Sequence, residues 1–144
     1  MKPRVFLRSI FLAGILGLLP GGTSALAQEE EEPALEALRL QDALARATQV
    51  FQAGDYAQAA TLFSSLEQTF GREPEIREPS VQRIILPAWG YSKFSIQNYA
   101  DAITHFEAFL EQFPEPGPIH AFVLYTLGQA EQFAGANEAA ATRF

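Results

Sequence analysis

The chain has 144 residues, 48% hydrophobic and 19% charged, which suits one folded domain and argues against a strongly disordered polypeptide. Ten Lys+Arg stand against 17 Asp+Glu, a formal net charge of −7, so the broad basic face of a nucleic-acid binder is missing. The chain has no cysteine, which excludes disulfides, a zinc ribbon, a thiol nucleophile and a lipid-anchored cysteine together.

Residues 1–27 read as a secretory signal peptide. Lys2, Arg4 and Arg8 give a positive start, and an apolar run follows from Ile10 to Leu19. Pro20-Gly21-Gly22 breaks any helix, and Ala25-Leu26-Ala27 places small residues where a signal peptidase reads them. Cleavage is expected after Ala27. The apolar run falls well short of the roughly 20 residues that a membrane-spanning helix wants, so no stable span is expected after cleavage. The signal holds three basic residues and no acidic one, leaving 7 basic and 17 acidic side chains, a formal charge of −10 over 117 residues. Export suits a cysteine-free chain, because no thiol is left to mispair in an oxidising compartment. A periplasmic or secreted protein is expected.

Gln28-Glu29-Glu30-Glu31-Glu32 follows as an acidic leader within 28–39. Its charge favours the positive end of the next helix, with Pro33 in the first turn. Apolar spacing then predicts helices at 34–53, 56–70, 81–96, 99–112, 119–134 and from 137 onward. Gly54 suits a left-handed helix end, Asp55 suits an N-cap, and Gln58 completes a capping-box pattern. Asn98 with Asp101 is the analogue in the next unit, and Gly135 is expected to mark a third joint. Gly71–Ser80 and Glu115-Pro116-Gly117-Pro118 read as exposed connections.

The chain repeats itself. Tyr56, Ala59, Phe63, Leu66 and Phe70 step by 3, 4, 3 and 4 residues, and Tyr99, Ala102, Phe106, Phe109 and Phe113 copy them 43 residues later. Asn137, Ala140 and Phe144 continue the series after a further 38. Each set lies on one helical stripe, with a small residue that lets a neighbour approach and an aromatic one turn on. The preceding helices repeat too: Ala43, Arg46, Ala47 and Phe51 correspond to Leu86, Trp89, Gly90 and Phe94, and these to Leu124, Leu127, Gly128 and Gln132. Small residues at 47, 90 and 128 are expected where two helix backbones come close.

Gly54-Asp55-Tyr56…Ala59…Phe63, Trp89-Gly90…Tyr99…Ala102…Phe106…Pro114 and Leu127-Gly128…Gly135…Ala140…Phe144 resemble tetratricopeptide repeats. The likeness covers residues 40–144, as repeats at about 40–73, 83–116 and a truncated 121–144. It departs from the family in Arg46, where a large apolar residue is usual, and in spacings longer than the usual period. The resemblance implies an all-α fold of antiparallel helix-pair repeats stacked as a right-handed solenoid. Tyr99…Phe106…Pro114 with Tyr125-Thr126-Leu127-Gly128 is also similar to repeats of bacterial envelope proteins, the outer-membrane assembly lipoprotein and the Tol–Pal coordinator among them.

The resemblance implies a scaffold that binds protein partners in the cell envelope. The alternative is a non-catalytic N-terminal module of a larger envelope enzyme or peptidoglycan-handling machine. Gln41, Thr48, Tyr91, Tyr125 and Gln129 lie outside the repeat stripes on the first helix of each pair, and are the candidate partner-binding groove. Tyrosines there can bury area and still donate a hydrogen bond. Lys93 is the only lysine after the signal, which argues against the Lys-and-Asn carboxylate clamp of some relatives. His105 and His120 read as solvated helix-surface residues, since a metal needs three or four converging ligands. No nucleophile, paired acid–base group or phosphate loop stands out, so no enzyme activity, cofactor or metal is expected. Phe144 falls about two turns into its helix, so the last apolar face is expected to be covered by further chain, a partner or a second copy.

Overall fold

The computed structural model describes the backbone of residues 39–141 and the side chains of residues 39–136. The signal peptide, the acidic leader and the side chains of Asn137, Ala140 and Phe144 lie outside the described residues. Within them all regular structure is helical, and no strand occurs. Helix α1 is described over residues 39–52. It is followed by α2 (Tyr56–Phe70), a 3₁₀ turn (Pro74–Arg77), α3 (Pro79–Ser95), α4 (Tyr99–Gln112) and α5 (Pro118–Ala141). From Leu40 onward these helices belong to one compact unit.

The stripe spacing produces the packing. Ala59, Phe63, Leu66 and Phe70 are buried along α2, and Ala102, Phe106, Phe109 and Phe113 along or just beyond α4. Each fully enclosed phenylalanine removes enough apolar surface from water to contribute about 2–3 kcal/mol. Neighbours in sequence are neighbours in space: α2 packs on α3, α3 on α4 and α4 on α5. Helix α3 sits between two cores. Its Ile85 and Ala88 face a cluster with Ala47, Phe63 and Leu66, whereas Leu86 faces one with Ala102, Phe106 and Val123. Gly90 permits the second contact, because a methyl group added to it would lie 2.7 Å from the buried Phe106 ring.

The turn between α1 and α2 recurs between α3 and α4, bond for bond. Gly54 N–H donates to Phe51 O and Asp55 N–H to Val50 O; Gln97 N–H donates to Phe94 O and Asn98 N–H to Lys93 O. Both sets form the paired helix-terminating bonds of a Schellman motif, with a left-handed residue at C′. That residue is Gly54 at φ 83° in one copy and Gln97 at φ 64° in the other. The next residue caps the following helix: Asp55 Oδ1 accepts from Gln58 N–H at 3.1 Å, and Asn98 Oδ1 from Asp101 N–H at 3.4 Å.

Three expectations need correction. The Gly71–Ser80 connection is not wholly exposed, because Ile76 in its 3₁₀ turn is completely buried in the first core. Buried Gln82 holds the turn down, donating from Nε2 to Ile76 O at 2.7 Å. Gly135 is not a joint: α5 continues through it to Ala141. Alanines at 134, 136, 139, 140 and 141 favour the helix, and a mid-helix glycine costs only about 1 kcal/mol. Gly128 is not a close-approach point, for nothing lies within 4 Å of a Cβ placed there. Its equivalence to Gly90 fails because the joint that would turn a packing helix back onto it does not form.

Candidate functional site

Seven aromatic rings join in a chain of edge-to-face, tilted and stacked contacts that links all five helices. Phe51 from α1 meets Tyr56 of α2 at 5.6 Å between centroids and 62° between planes. Phe94 of α3 meets Tyr99 of α4 at 5.7 Å and 61°, the same pair one repeat later. Tyr91 bridges the copies, standing 6.1 Å from Phe51, 5.2 Å from Tyr56 and 6.1 Å from Phe94. Helix α5 adds Phe122, 5.4 Å from Tyr91, and Phe133, 6.2 Å from Phe94 and 5.4 Å from Tyr99. The separations suit edge-to-face and offset pairs, each worth about 0.5–1.5 kcal/mol beyond simple burial.

The ribbon is not sealed into the core. Phe122 and Phe133 are 44% and 43% exposed, and Tyr125, one turn after Phe122, is 68% exposed. Tyr56, Tyr91 and Tyr99 are half-buried, and among the described residues their hydroxyls make no hydrogen bond. Those hydroxyls are open to solvent, since among the described residues the enclosed side-chain polar atom without a partner is Trp89 Nε1. The cation–π contact found among the described residues, Arg83 on Phe113 at 4.6 Å, lies elsewhere in the molecule.

Of the candidate groove residues, Tyr91 lies at the centre of the ribbon. Tyr125 and Gln129 are brought together, with Gln129 Nε2 donating to the Tyr125 hydroxyl at 3.2 Å. Gln41 is exposed on α1 and shares no ring or hydrogen-bond contact with the others. Thr48 is half-buried, its hydroxyl tied to Leu44 O at 2.8 Å. Phe51, Tyr56, Phe94 and Tyr99 belong to the repeat stripes, whereas Phe122 and Phe133 lie outside them. The spacing Phe122, Tyr125, Gln129, Phe133, in steps of 3, 4 and 4, already places those α5 residues on one face.

A second concavity lies between α2, α3 and α4. It has a volume of about 320 Å³ and is lined by Ser64, Glu67, Gln68, Trp89, Lys93, Asp101, Thr104 and His105. Lys93 Nζ reaches Asp101 at 3.0 Å, tying the end of α3 to the first turn of α4. This contact, chiefly through the hydrogen bond, holds the Asp101 carboxyl below its ordinary range. His105 is not a solvated surface residue: its ring stacks on Trp89 at 4.0 Å and 24°. Burial pushes its pKa down, Asp101 and Glu67 oppose that, and Lys93 reinforces it. The charges here are already paired, and no set of three or more metal-binding side chains converges among the described residues.

The chain matches no family model, no curated protein and no solved structure. The ring face and the charged cleft therefore have to be interpreted from their own chemistry.

Proposed function

We propose that the chain is an exported scaffold of tetratricopeptide-like helix pairs, and that the aromatic face holds protein partners in the bacterial cell envelope. The observation that carries this reading is the continuous ribbon itself, built from the same Phe–Tyr pair in two successive units. Its support is the recurrence of one helix–turn–helix pattern, with packing between sequence neighbours as stacked antiparallel pairs in a right-handed solenoid require. Exposed aromatic surface beside free hydroxyls suits protein recognition, whereas the acidic balance disfavours nucleic acid. Periplasmic or secreted placement rests on the residues of 1–27, and no helix among the described residues is long and apolar enough to cross a membrane. No catalytic role, cofactor or metal is part of this reading.

Photocrosslinking tests it. A crosslinking amino acid at Tyr125 is expected to trap a discrete envelope protein in living cells, whereas one at exposed Glu107 on α4 is not. Equal labelling from both positions, or none from Tyr125, would sink the proposal. The open side of α5, where Leu124 is 49% exposed, also supports self-association. Sedimentation as a stable monomer at high micromolar concentration would count against that part alone.

A further inference from the structure

We propose, resting on the reading of the open side of α5 as a self-association surface, that two copies of the chain pair antiparallel through α5, about a twofold axis at the level of Thr126. Val123, Thr126 and Ala130 are buried against the rest of the unit. On the far side Ala121, Leu124, Gly128, Glu131 and Gly135 are all exposed. They step by 3, 4, 3 and 4 residues, the spacing of a helix-pair seam. Leu124 is 49% exposed, and nothing lies within 4 Å of a Cβ placed at Gly128. The seam thus carries a projecting side chain and an empty notch one turn apart.

The order of these features makes a second copy the occupant. Leu124 and Gly128 are centred on Thr126, and His120 and Glu131 are centred within about half a residue of the same point. Turned end for end there, one α5 presents Leu124 to the partner's Gly128 and His120 to the partner's Glu131. Both contacts then occur twice, as an isologous interface demands. The imidazole donates to the carboxylate, and among the described residues neither side chain has another partner. A parallel pair would set leucine on leucine, leave both notches empty and bring two carboxylates together. Between residues 118 and 136, Glu131 is the one acidic residue and no Lys or Arg occurs, so the seam adds little repulsion between two acidic chains. The chain's own next residues do not fill the notch, because α5 runs through Gly135 to Ala141 instead of turning back. Phe122 and Phe133 stand roughly 160–180° round the helix from Leu124, so pairing leaves the aromatic ribbon of each copy open. Such a pair offers a partner two ribbons, and hence avidity.

Sedimentation equilibrium of the purified chain is expected to show a monomer–dimer equilibrium. One helix from each copy makes a small contact, so the dissociation constant should fall at roughly 10–100 μM. Gly128→Leu, which fills the notch, and Leu124→Ala, which removes the side chain that enters it, should each weaken pairing about tenfold or more. Glu107→Gln on α4 should leave it unchanged, and circular dichroism should show all three variants folded. Orientation is read separately, because the chain has no cysteine and single thiols can be placed at will. The antiparallel pair sets residue 120 across from residue 131, but holds two copies of either position about 15–18 Å apart along the axis. A bismaleimide with a two-carbon spacer should therefore join His120→Cys to mass-tagged Glu131→Cys, and neither variant to itself. Linkage of each variant to itself, or a dimer indifferent to Gly128→Leu, would overturn this pairing while leaving self-association in place. A monomer at every concentration would remove both, and the scaffold reading would then be judged by the Tyr125 crosslink.

Discussion

Gly54 and Gln97 occupy the same place in two copies of one turn, and both hold a left-handed backbone. Glycine adopts this conformation at no steric cost, whereas a residue with a Cβ gives up about 1–2 kcal/mol. The second copy of the turn is thus strained where the first is not. Gln97→Gly should stabilise the protein by about 0.5–1 kcal/mol, the relieved strain less the extra freedom that glycine adds to the unfolded chain. Gly54→Ala should destabilise it by about 1–2 kcal/mol. Urea midpoints of the two variants, moving in opposite directions, check the equivalence. A loss of stability in Gln97→Gly would contradict it.

A second pair of glycines separates the two ends of the array. Gly90 and Gly128 are equivalent by spacing, yet only Gly90 has a neighbour, the buried Phe106 ring. Ala in place of Gly90 must push that ring through a close-packed core, and overpacking of this kind costs about 1–3 kcal/mol. The helix-propensity gain of up to about 1 kcal/mol offsets part of it. At Gly128 the propensity gain acts alone, so Gly128→Ala should raise the melting temperature while Gly90→Ala lowers it. Ala102→Leu, at a fully buried position on the α4 stripe, should cost about 1–3 kcal/mol for the same reason as Gly90→Ala.

These positions show how much of the fold the residues disclose in advance. The stripes of α2 and α4 were legible because burial on one face imposes a 3–4 spacing; α2 begins and ends with its stripe, and α4 begins with its own and ends one residue before Phe113. The break at Gly135 was read by analogy with Gly54. A glycine ends a helix only if the chain beyond it gains something by turning, and α5 runs on instead. The aromatic face was harder to see. Its rings come from five helices, and single-helix periodicity cannot say which rings meet across them. Tyr91 was found because it lay outside the stripes; Phe51 and Phe94 were hidden inside them.

Ile76 went unseen for a different reason. Pro74, Glu75, Arg77 and Glu78 around it look like solvated connection, yet its side chain closes the first core between α2 and α3. Arg77 reinforces the turn, pairing with Glu67 and donating to Gly71 O at 3.0 Å. That exposed ion pair contributes at most about 1 kcal/mol. Ile76→Ala should cost about 2–5 kcal/mol, as for other buried branched residues. Arg77→Ala should cost far less, by urea denaturation under the same conditions. Tolerance of Ile76→Ala at the level of a surface substitution would show that the turn is not anchored as described.

His105 offers a test with its own optical probe, because Trp89, on which it stacks, is the only tryptophan in the chain. Burial holds its folded-state pKa below the ordinary value of 6.5, despite the pull of Asp101 and Glu67 in the other direction. The unfolded chain therefore binds this proton more readily than the folded one. The contribution of neutral His105 to stability is fully present above pH 6.5 and is lost as pH falls from there through the folded pKa. Asp101 has the same sign but a lower window. Its depressed pKa gives stability that is present above its ordinary value of 3.8 and fades further into acid. Tryptophan emission should change as the stacked ring becomes charged, with a midpoint below 6.5, and His105→Gln should abolish that transition while leaving the acid one. A midpoint at or above 6.5 would mean that the ring is not buried against Trp89 in solution.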